Sequence, residues 1–274
     1  MLIAFLGLLY GTYTDFKSRE VPDWASYSLI ILGLGLRLLY SAITFDWSVI
    51  LHGLTGFGIF FVLAWIFYLT GQWGGGDAKV LMGIGALVGF ELTPFSFLIS
   101  FVINLLIIGA IYGFVWGMVL AVKHRKKFLE EFKKQRIKIK KVKLILLIII
   151  VTLLLIAILL PDRAIKISIA GLAIFIYVSF YVFLFTKSVE NSSMYKFYKI
   201  NKLTEGDWIA KIIKHRGKQI CGPKDKGITK EQIKLLKKYK INQVLVKEGI
   251  PFIPSFLIAF VITYFMGNIL FLMF

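Results

Sequence analysis

The chain reads as an all-α polytopic membrane protein with about eight transmembrane helices and a small cytoplasmic α+β insert before the last one. Three observations predict this. Of its 274 residues 58% are hydrophobic, and they fall in continuous runs of about 20, long enough for a helix to cross a bilayer core of roughly 30 Å. The 33 Lys and Arg gather between those runs. Between the last two runs the apolar pattern gives way to turn and capping signals.

The first span covers Leu2 to about Thr14 and ends at Asp15. A charged stretch follows with no small-residue cleavage site, so this helix is expected to be retained and not removed as a signal peptide. Pro22 disfavours helix at Val21, which makes 16–23 a break. The second span is about Trp24–Ile43 and the third about Trp47–Leu69, where Gly53, Gly56 and Gly58 form a small-residue stripe suited to close packing. Then comes Thr70-Gly71-Gln72-Trp73-Gly74-Gly75-Gly76-Asp77-Ala78-Lys79, whose glycines allow a tight turn with φ > 0.

The fourth span, about Ala78–Phe90, is short, and Gly83, Gly85 and Gly89 permit close neighbours. The fifth is about Pro94–Val122. A basic run, Lys123–Lys143, precedes the sixth, Leu144–Leu160, and the seventh, about Ile165–Phe185. The insert follows to Gly249. In it Thr229 and Gln232 predict a capping box opening a helix over Lys230–Lys240, with Ile233, Leu235 and Leu236 to one side, and Ile241–Val246 reads as a strand. The eighth span is about Ile250–Phe274. The expected organisation is thus a membrane core over 1–122 completed by 250–274, a basic loop with an added hairpin over 123–186, and the α+β insert over 187–249.

Orientation follows from the excess of Lys and Arg in cytoplasmic loops. With the N-terminus outside and eight crossings, every basic residue except Arg37, Arg163 and Lys166 falls inside. Both termini then lie outside a cell membrane. The formal net charge of +18 is read as a topology signal and a contact for anionic membrane lipids; no nucleic-acid motif accompanies it. One cysteine, Cys221, excludes an internal disulfide and a Cys-cluster metal site. His52, His124 and His215 fall in separate segments without ligand spacing, so no metal site is expected.

This topology puts Asp15 and Asp77 at the same cytoplasmic boundary. Ionisable groups in or beside membrane spans are costly and usually mark function. Two neighbouring carboxylates share a proton, and such a pair can hydrolyse a peptide bond: the ionised member takes a proton from water while the protonated one donates to the carbonyl oxygen. The plainer alternative stays open. Asp77 beside Ala78-Lys79 suits a helix cap, and Asp15 can pair with Lys17, Arg19 or Lys79.

Gly74-Gly75-Gly76-Asp77 fits the Gly-x-Gly-Asp signature of intramembrane-type aspartic proteases. With Asp15-Phe16-Lys17-Ser18-Arg19-Glu20-Val21-Pro22 after the first helix, the chain resembles the type IV prepilin peptidase family, most of all its archaeal preflagellin and prepilin peptidases. Gly249-Ile250-Pro251-Phe252-Ile253-Pro254 is similar to the family's entry into its last helix. The resemblance implies Asp15 and Asp77 as the catalytic dyad of an aspartic endopeptidase that needs no cofactor. Gly74, Gly75, Gly76, Lys79, Pro251 and Pro254 are expected to support the dyad or the substrate, and an extended substrate strand can pair beside the glycines. Its substrates would be prepilin- or preflagellin-like precursors, cut behind a short basic leader at the cytoplasmic face.

Three departures stand out. Cys221 alone cannot build the cysteine-rich domain of bacterial relatives, and no motif for methyl transfer is visible, so peptidase activity alone is expected. The sixth and seventh spans look like an added hairpin. Asp23 stands where related sequences often have Asn and is read as a cap for the second span. An ion- or proton-coupled transporter and a non-catalytic membrane scaffold remain as rival readings; the first would want acidic groups near the midplane and an internal repeat.

Overall fold

A computed structural model describes residues 1–91, 93, 96–215, 217–225 and 227–272. The expected start of the fifth span at Pro94 and end of the last at Phe274 lie outside the described residues. In chain order the elements are α1 (Leu2–Ser18), α2 (Asp23–Thr44), α3 (Ser48–Leu69), α4 (Gly75–Val88), α5 (Phe97–Lys123), α6 (Arg125–Lys138), α7 (Lys140–Leu159) and α8 (Arg163–Val189). A π turn (Glu190–Met194), β1 (Tyr195–Lys199), β2 (Trp208–Ile209), β3 (Ile213–His215), β4 (Lys218–Cys221), α9 (Lys230–Lys238), β5 (Gln243–Lys247), α10 (Ile253–Met266) and α11 (Ile269–Leu272) follow.

The chain is a polytopic membrane protein. Among the described residues, five helices (α2, α3, α5, α7, and α8 with its π turn) are long and apolar enough to cross a membrane. Helices α1, α4 and α10 are apolar but have 17, 14 and 14 residues, short of the ~20 that a full crossing takes.

The contacts divide the chain into two units, Met1–Gly113 with Gly249–Phe274, and Phe114–Glu248. In the first, neighbouring helices are placed by glycine. A Cβ on Gly56 would stand 2.4 Å from the Gly85 carbonyl oxygen, and one on Gly85 2.4 Å from that of Gly56. Only two residues without side chains allow α3 and α4 to cross so closely. Gly53 also faces this junction, whereas Gly58 has open space around it, so the predicted stripe is two glycines wide.

The same contacts set helix direction. Gly76 lies against Val21, Gly83 against Leu29, and Gly33 against Ala86 and Leu87, so α2 and α4 run parallel. Helix α3 opposes them: Gly75 lies near Tyr68, while the His52 carbonyl accepts from the Phe90 N–H at 2.8 Å. Along α5 and α10, Phe101 meets Phe260, Gly109 meets Phe252 and Gly113 meets Ile250, an antiparallel pair. The links 19–22 and 70–74 and the start of α10 therefore gather at one end of this unit. Its core runs through Leu8, Phe60, Trp73, Leu81, Ile84, Phe101 and Phe256.

At the other end, Arg37 serves the short α4. Its guanidinium donates to the Leu87 carbonyl at 3.1 Å, to that of Val88, and to that of Val49 at 3.0 Å. The last carbonyls of a helix lack partners within it, and in lipid no water can supply them. Gly53 and Gly89 leave the room this side chain fills; Gly89 has φ 76.

The expected last span is not one helix. Helix α10 stops at Met266, Gly267 takes φ 71, and α11 is a separate turn. The break is satisfied by buried Asn104 of α5, which donates to Thr263 Oγ1 at 2.9 Å and to the Gly267 carbonyl at 2.7 Å, and accepts from the Ile269 N–H at 3.0 Å. Nothing in the sequence near Gly267 names Asn104 as its partner.

In the second unit the basic run is helix and not loop. Lys, Arg, Glu and Gln are good helix formers whatever their net charge, and in α6 Lys134 pairs with Glu131 at 2.7 Å. Phe128 packs edge-on against Phe185 of α8, ring centroids 5.6 Å apart. The insert forms antiparallel sheets in the orders β1-β5-β2 and β3-β4 over a core of Ile200, Ile209, Cys221, Ile228, Leu236, Val244 and Val246. The capping box forms: Thr229 N–H donates to Gln232 Oε1 at 2.9 Å, and Gln232 N–H to Thr229 Oγ1 at 3.3 Å. Leu236 is buried and Ile233 packs beside it, but Leu235 faces out. The strand starts at Gln243 because Lys240, with φ 53, turns the chain first.

Candidate active site at one end of the first unit

Asp15 lies inside the last turn of α1, which ends at Ser18, four residues later than the apolar run alone would end it. It is 5% exposed. Its Oδ2 accepts from the Ile253 N–H at 2.9 Å, and the Phe252 N–H donates to the same carboxyl group. These are free donors at the start of α10, where a helix favours negative charge. Gly11, one turn earlier, makes the contact possible: its Cβ would sit 3.3 Å from Ile253 Cγ2. Of the three partners the sequence offers Asp15, Arg19 is the one that interacts with it. Lys17 lies over the Tyr13 ring.

Asp77 is the third residue of α4, and its Oδ2 accepts from the N–H of Gly74, the helix cap, at 3.1 Å. Asp77 is thus a cap, and it also interacts electrostatically with Asp15. Capping uses one carboxylate oxygen and leaves the other for different work. Tyr112, on the face of α5 that carries Gly109 and Gly113, interacts with Asp15 as well.

The three glycines before Asp77 do not need φ > 0. In this turn the left-handed residue is Gly71, with φ 69. Gly74 is extended at φ −72, ψ 165, and Gly75 and Gly76 are already helical. The stretch therefore presents helix-start N–H groups and not a strand edge, which corrects the expectation of strand pairing there. Gly76 has a packing reason: a Cβ would reach within 3.4 Å of the Val21 backbone nitrogen. Gly75 meets only the Tyr68 ring, at 4.0 Å.

Lys79 turns towards α2. Its Nζ pairs with Asp23 Oδ1 at 2.5 Å and lies over the Tyr27 ring at 5.1 Å. Asp23 is in the first turn of α2, where a carboxylate suits the dipole, but its partner is a lysine on another helix. Pro251 and Pro254 are buried on either side of the Phe252–Ile253 amides that hold Asp15. Pro254 falls in the first turn of α10, where the missing N–H costs nothing.

Trp73 was not singled out by sequence. It is 7% exposed and stacks on Phe67 with centroids 4.2 Å apart. It also meets Phe256 at 5.3 Å and Phe252 at 6.1 Å. A tryptophan beside a glycine turn has no spacing signal of its own; its partners Phe252 and Phe256 are some 180 residues away along the chain.

Two carboxylates, one buried and one half-buried, with the exposed links 16–20 and 69–72 beside them, suit hydrolysis by paired acid and base. Residues 2–122 match the model of the type IV leader peptidase family. The preflagellin peptidase of Methanococcus maripaludis is 42% identical over 88 residues, 32% of this chain and 37% of that protein. The preflagellin peptidase of Methanocaldococcus jannaschii is 37% identical over 87 residues, 32% of this chain and 37% of its own. The prepilin leader peptidase/N-methyltransferase of Vibrio cholerae is 32% identical over 107 residues, 38% of this chain and 42% of that one. The matched stretch spans less than half the length of each. Residues 2–122, which hold both aspartates, are thus similar to the type IV leader peptidase family.

Proposed function

We propose that the chain is a membrane aspartic endopeptidase that removes the short basic leader of prepilin- or preflagellin-like precursors. The observation that carries this is that Asp15 and Asp77, 62 positions apart in the sequence, lie close enough to interact electrostatically at one end of the unit that holds the family match. In the proposed reaction one carboxylate takes a proton from water as the water oxygen bonds to the scissile carbonyl carbon. The other donates its proton to the carbonyl oxygen. Collapse of the tetrahedral intermediate breaks the C–N bond and returns a proton to the leaving nitrogen. Asp15, held by two backbone amides, suits the charged member.

Eight crossings with both termini outside a cell membrane, and the dyad at its cytoplasmic face, belong to the same proposal. It is supported by the alternating helix directions in the first unit and by the placement of Lys and Arg. In this arrangement the basic leader meets the dyad at the surface and the precursor's apolar helix stays in lipid. Membrane lipids are then a partner, and nucleic acid is not. The test is incubation of the purified protein in liposomes with a precursor, with and without a metal chelator. The product's new N-terminus, read by mass spectrometry, is expected directly after the leader, and chelation is expected to leave the rate unchanged.

A further inference from the structure

We infer that Trp73 is a positioning residue that sets the separation of the two aspartates. This rests on the peptidase reading of the site. Asp77 and Asp15 belong to different helices, and each is held by a short local contact: Asp77 by the Gly74 N–H, and Asp15 by the N–H groups of Phe252 and Ile253. Something must fix the glycine turn against the start of α10, or the two half-sites would be set independently.

Trp73 occupies that place. Its backbone is covalently next to Gly74, whose N–H donates to Asp77. Its ring is wedged between Phe67 at the end of α3 and Phe252 and Phe256 at the start of α10. Phe252 is adjacent to Ile253 in the chain and is itself a donor to Asp15. The route from one carboxylate to the other is therefore Asp77, Gly74, Trp73, Phe252, Ile253, Asp15, made of hydrogen bonds, covalent neighbours and one aromatic contact. The turn is also anchored behind the ring, since Gln72 and Trp73 N–H groups both donate to the Phe67 carbonyl, at 2.9 and 3.3 Å. The indole is 7% exposed, so shrinking it opens a space between the two half-sites that Phe67 and Phe256 can fill by moving. A shift of about 1 Å in a catalytic pair can lower a rate by ~100-fold.

The experiment reads geometry and activity separately. In a Cys221→Ala background, Asp15→Cys and Asp77→Cys are introduced together and treated with a short bifunctional thiol reagent in membranes. A control pair, His52→Cys with Phe90→Cys, sits at the far end of α3 and α4, where the two backbones are hydrogen-bonded. Trp73→Ala is expected to reduce cross-linking at the aspartate positions severalfold and leave the control pair unchanged. In the protein with both aspartates intact, Trp73→Ala is expected to lower kcat about 100-fold with little change in KM, and Trp73→Phe to restore most of it. Cross-linking at 15 and 77 that fails with Trp73 present, or that is the same with Ala as with Trp, overturns the inference. If Trp73→Ala loses both pairs, the test passes to Trp73→Phe and Trp73→Leu. Yields that do not fall in the order Trp, Phe, Leu then overturn it. Because cross-linking needs no substrate, a failure of the peptidase reading would leave this result standing.

Discussion

The Ile253 N–H donates to Asp15 Oδ2 at 2.9 Å across 238 positions of chain. The last long helix thus begins at a carboxylate that the first helix delivers. Asp15 replaces the side-chain cap that Phe252 cannot provide for α10, and α10 in turn holds Asp15 in place beside Asp77.

That contact depends on Gly11. A Cβ there would reach 3.3 Å from Ile253 Cγ2, and a valine would extend past it. Gly11→Val is expected to push α10 away and lower precursor cleavage ~100-fold, with Gly11→Ala between it and the parent. Initial rates in membranes, normalised to protein level, check this.

The Lys79–Asp23 pair is expected to matter less than its place in the motif suggests. The two side chains are 27% and 68% exposed, and exposed ion pairs contribute about 0–1 kcal/mol. Lys79→Met should therefore change stability by no more than about 1 kcal/mol, and the exchange Lys79→Asp with Asp23→Lys should recover it. Thermal unfolding in detergent measures both.

Arg37→Met is expected to be severe. It strips partners from the Leu87, Val88 and Val49 carbonyls, and each buried polar group left unpaired costs about 1–3 kcal/mol. Arg37→Lys, which cannot span the same fork, should recover only part. Proteolysis of detergent-solubilised protein reports the order of stability.

The insert carries a pH-sensitive reporter. Cys221 is fully buried, and burial first, then the nearby Asp225 charge, pushes its thiol from its ordinary 9 to about 11. A raised value means the folded state favours the protonated form. The stability this supplies is complete below pH 9 and is lost as the pH rises towards 11. Cys221 is expected to resist a thiol-alkylating reagent at neutral pH and to react once the insert is unfolded by urea. Mass spectrometry of the labelled protein against time checks this.

Helix positions were legible where apolar runs and their charged borders stood out. The second and third expected spans agree with α2 and α3 to within one residue. The termini were harder wherever tertiary partners act. Helix α1 runs on past Asp15 because α10 supplies amides for that carboxylate, and α10 ends at Gly267 because Asn104 satisfies the break. Both are long-range contacts that local pattern cannot show. The run Lys123–Lys143 is mostly helix, because a high charge does not stop Lys, Arg, Glu and Gln from being helix formers.

The candidate site was half legible. Gly-x-Gly-Asp and the motif after the first helix pointed to Asp15 and Asp77, and topology put them on one side. Lys79 shares the motif but faces Asp23 and Tyr27. Trp73 and the Phe252–Ile253 amides carry no pattern that a single sequence can display. Their part is visible only once the helices are assembled.

The most direct test of the central claim is cleavage of a co-expressed precursor by Asp15→Asn and Asp77→Asn, one at a time. Asparagine keeps the size of each side chain and an acceptor for the Ile253 or Gly74 N–H, but it cannot exchange a proton. Each variant is expected to insert at the parent level and leave the precursor uncut. Cleavage at or near the parent rate by either one would contradict the dyad.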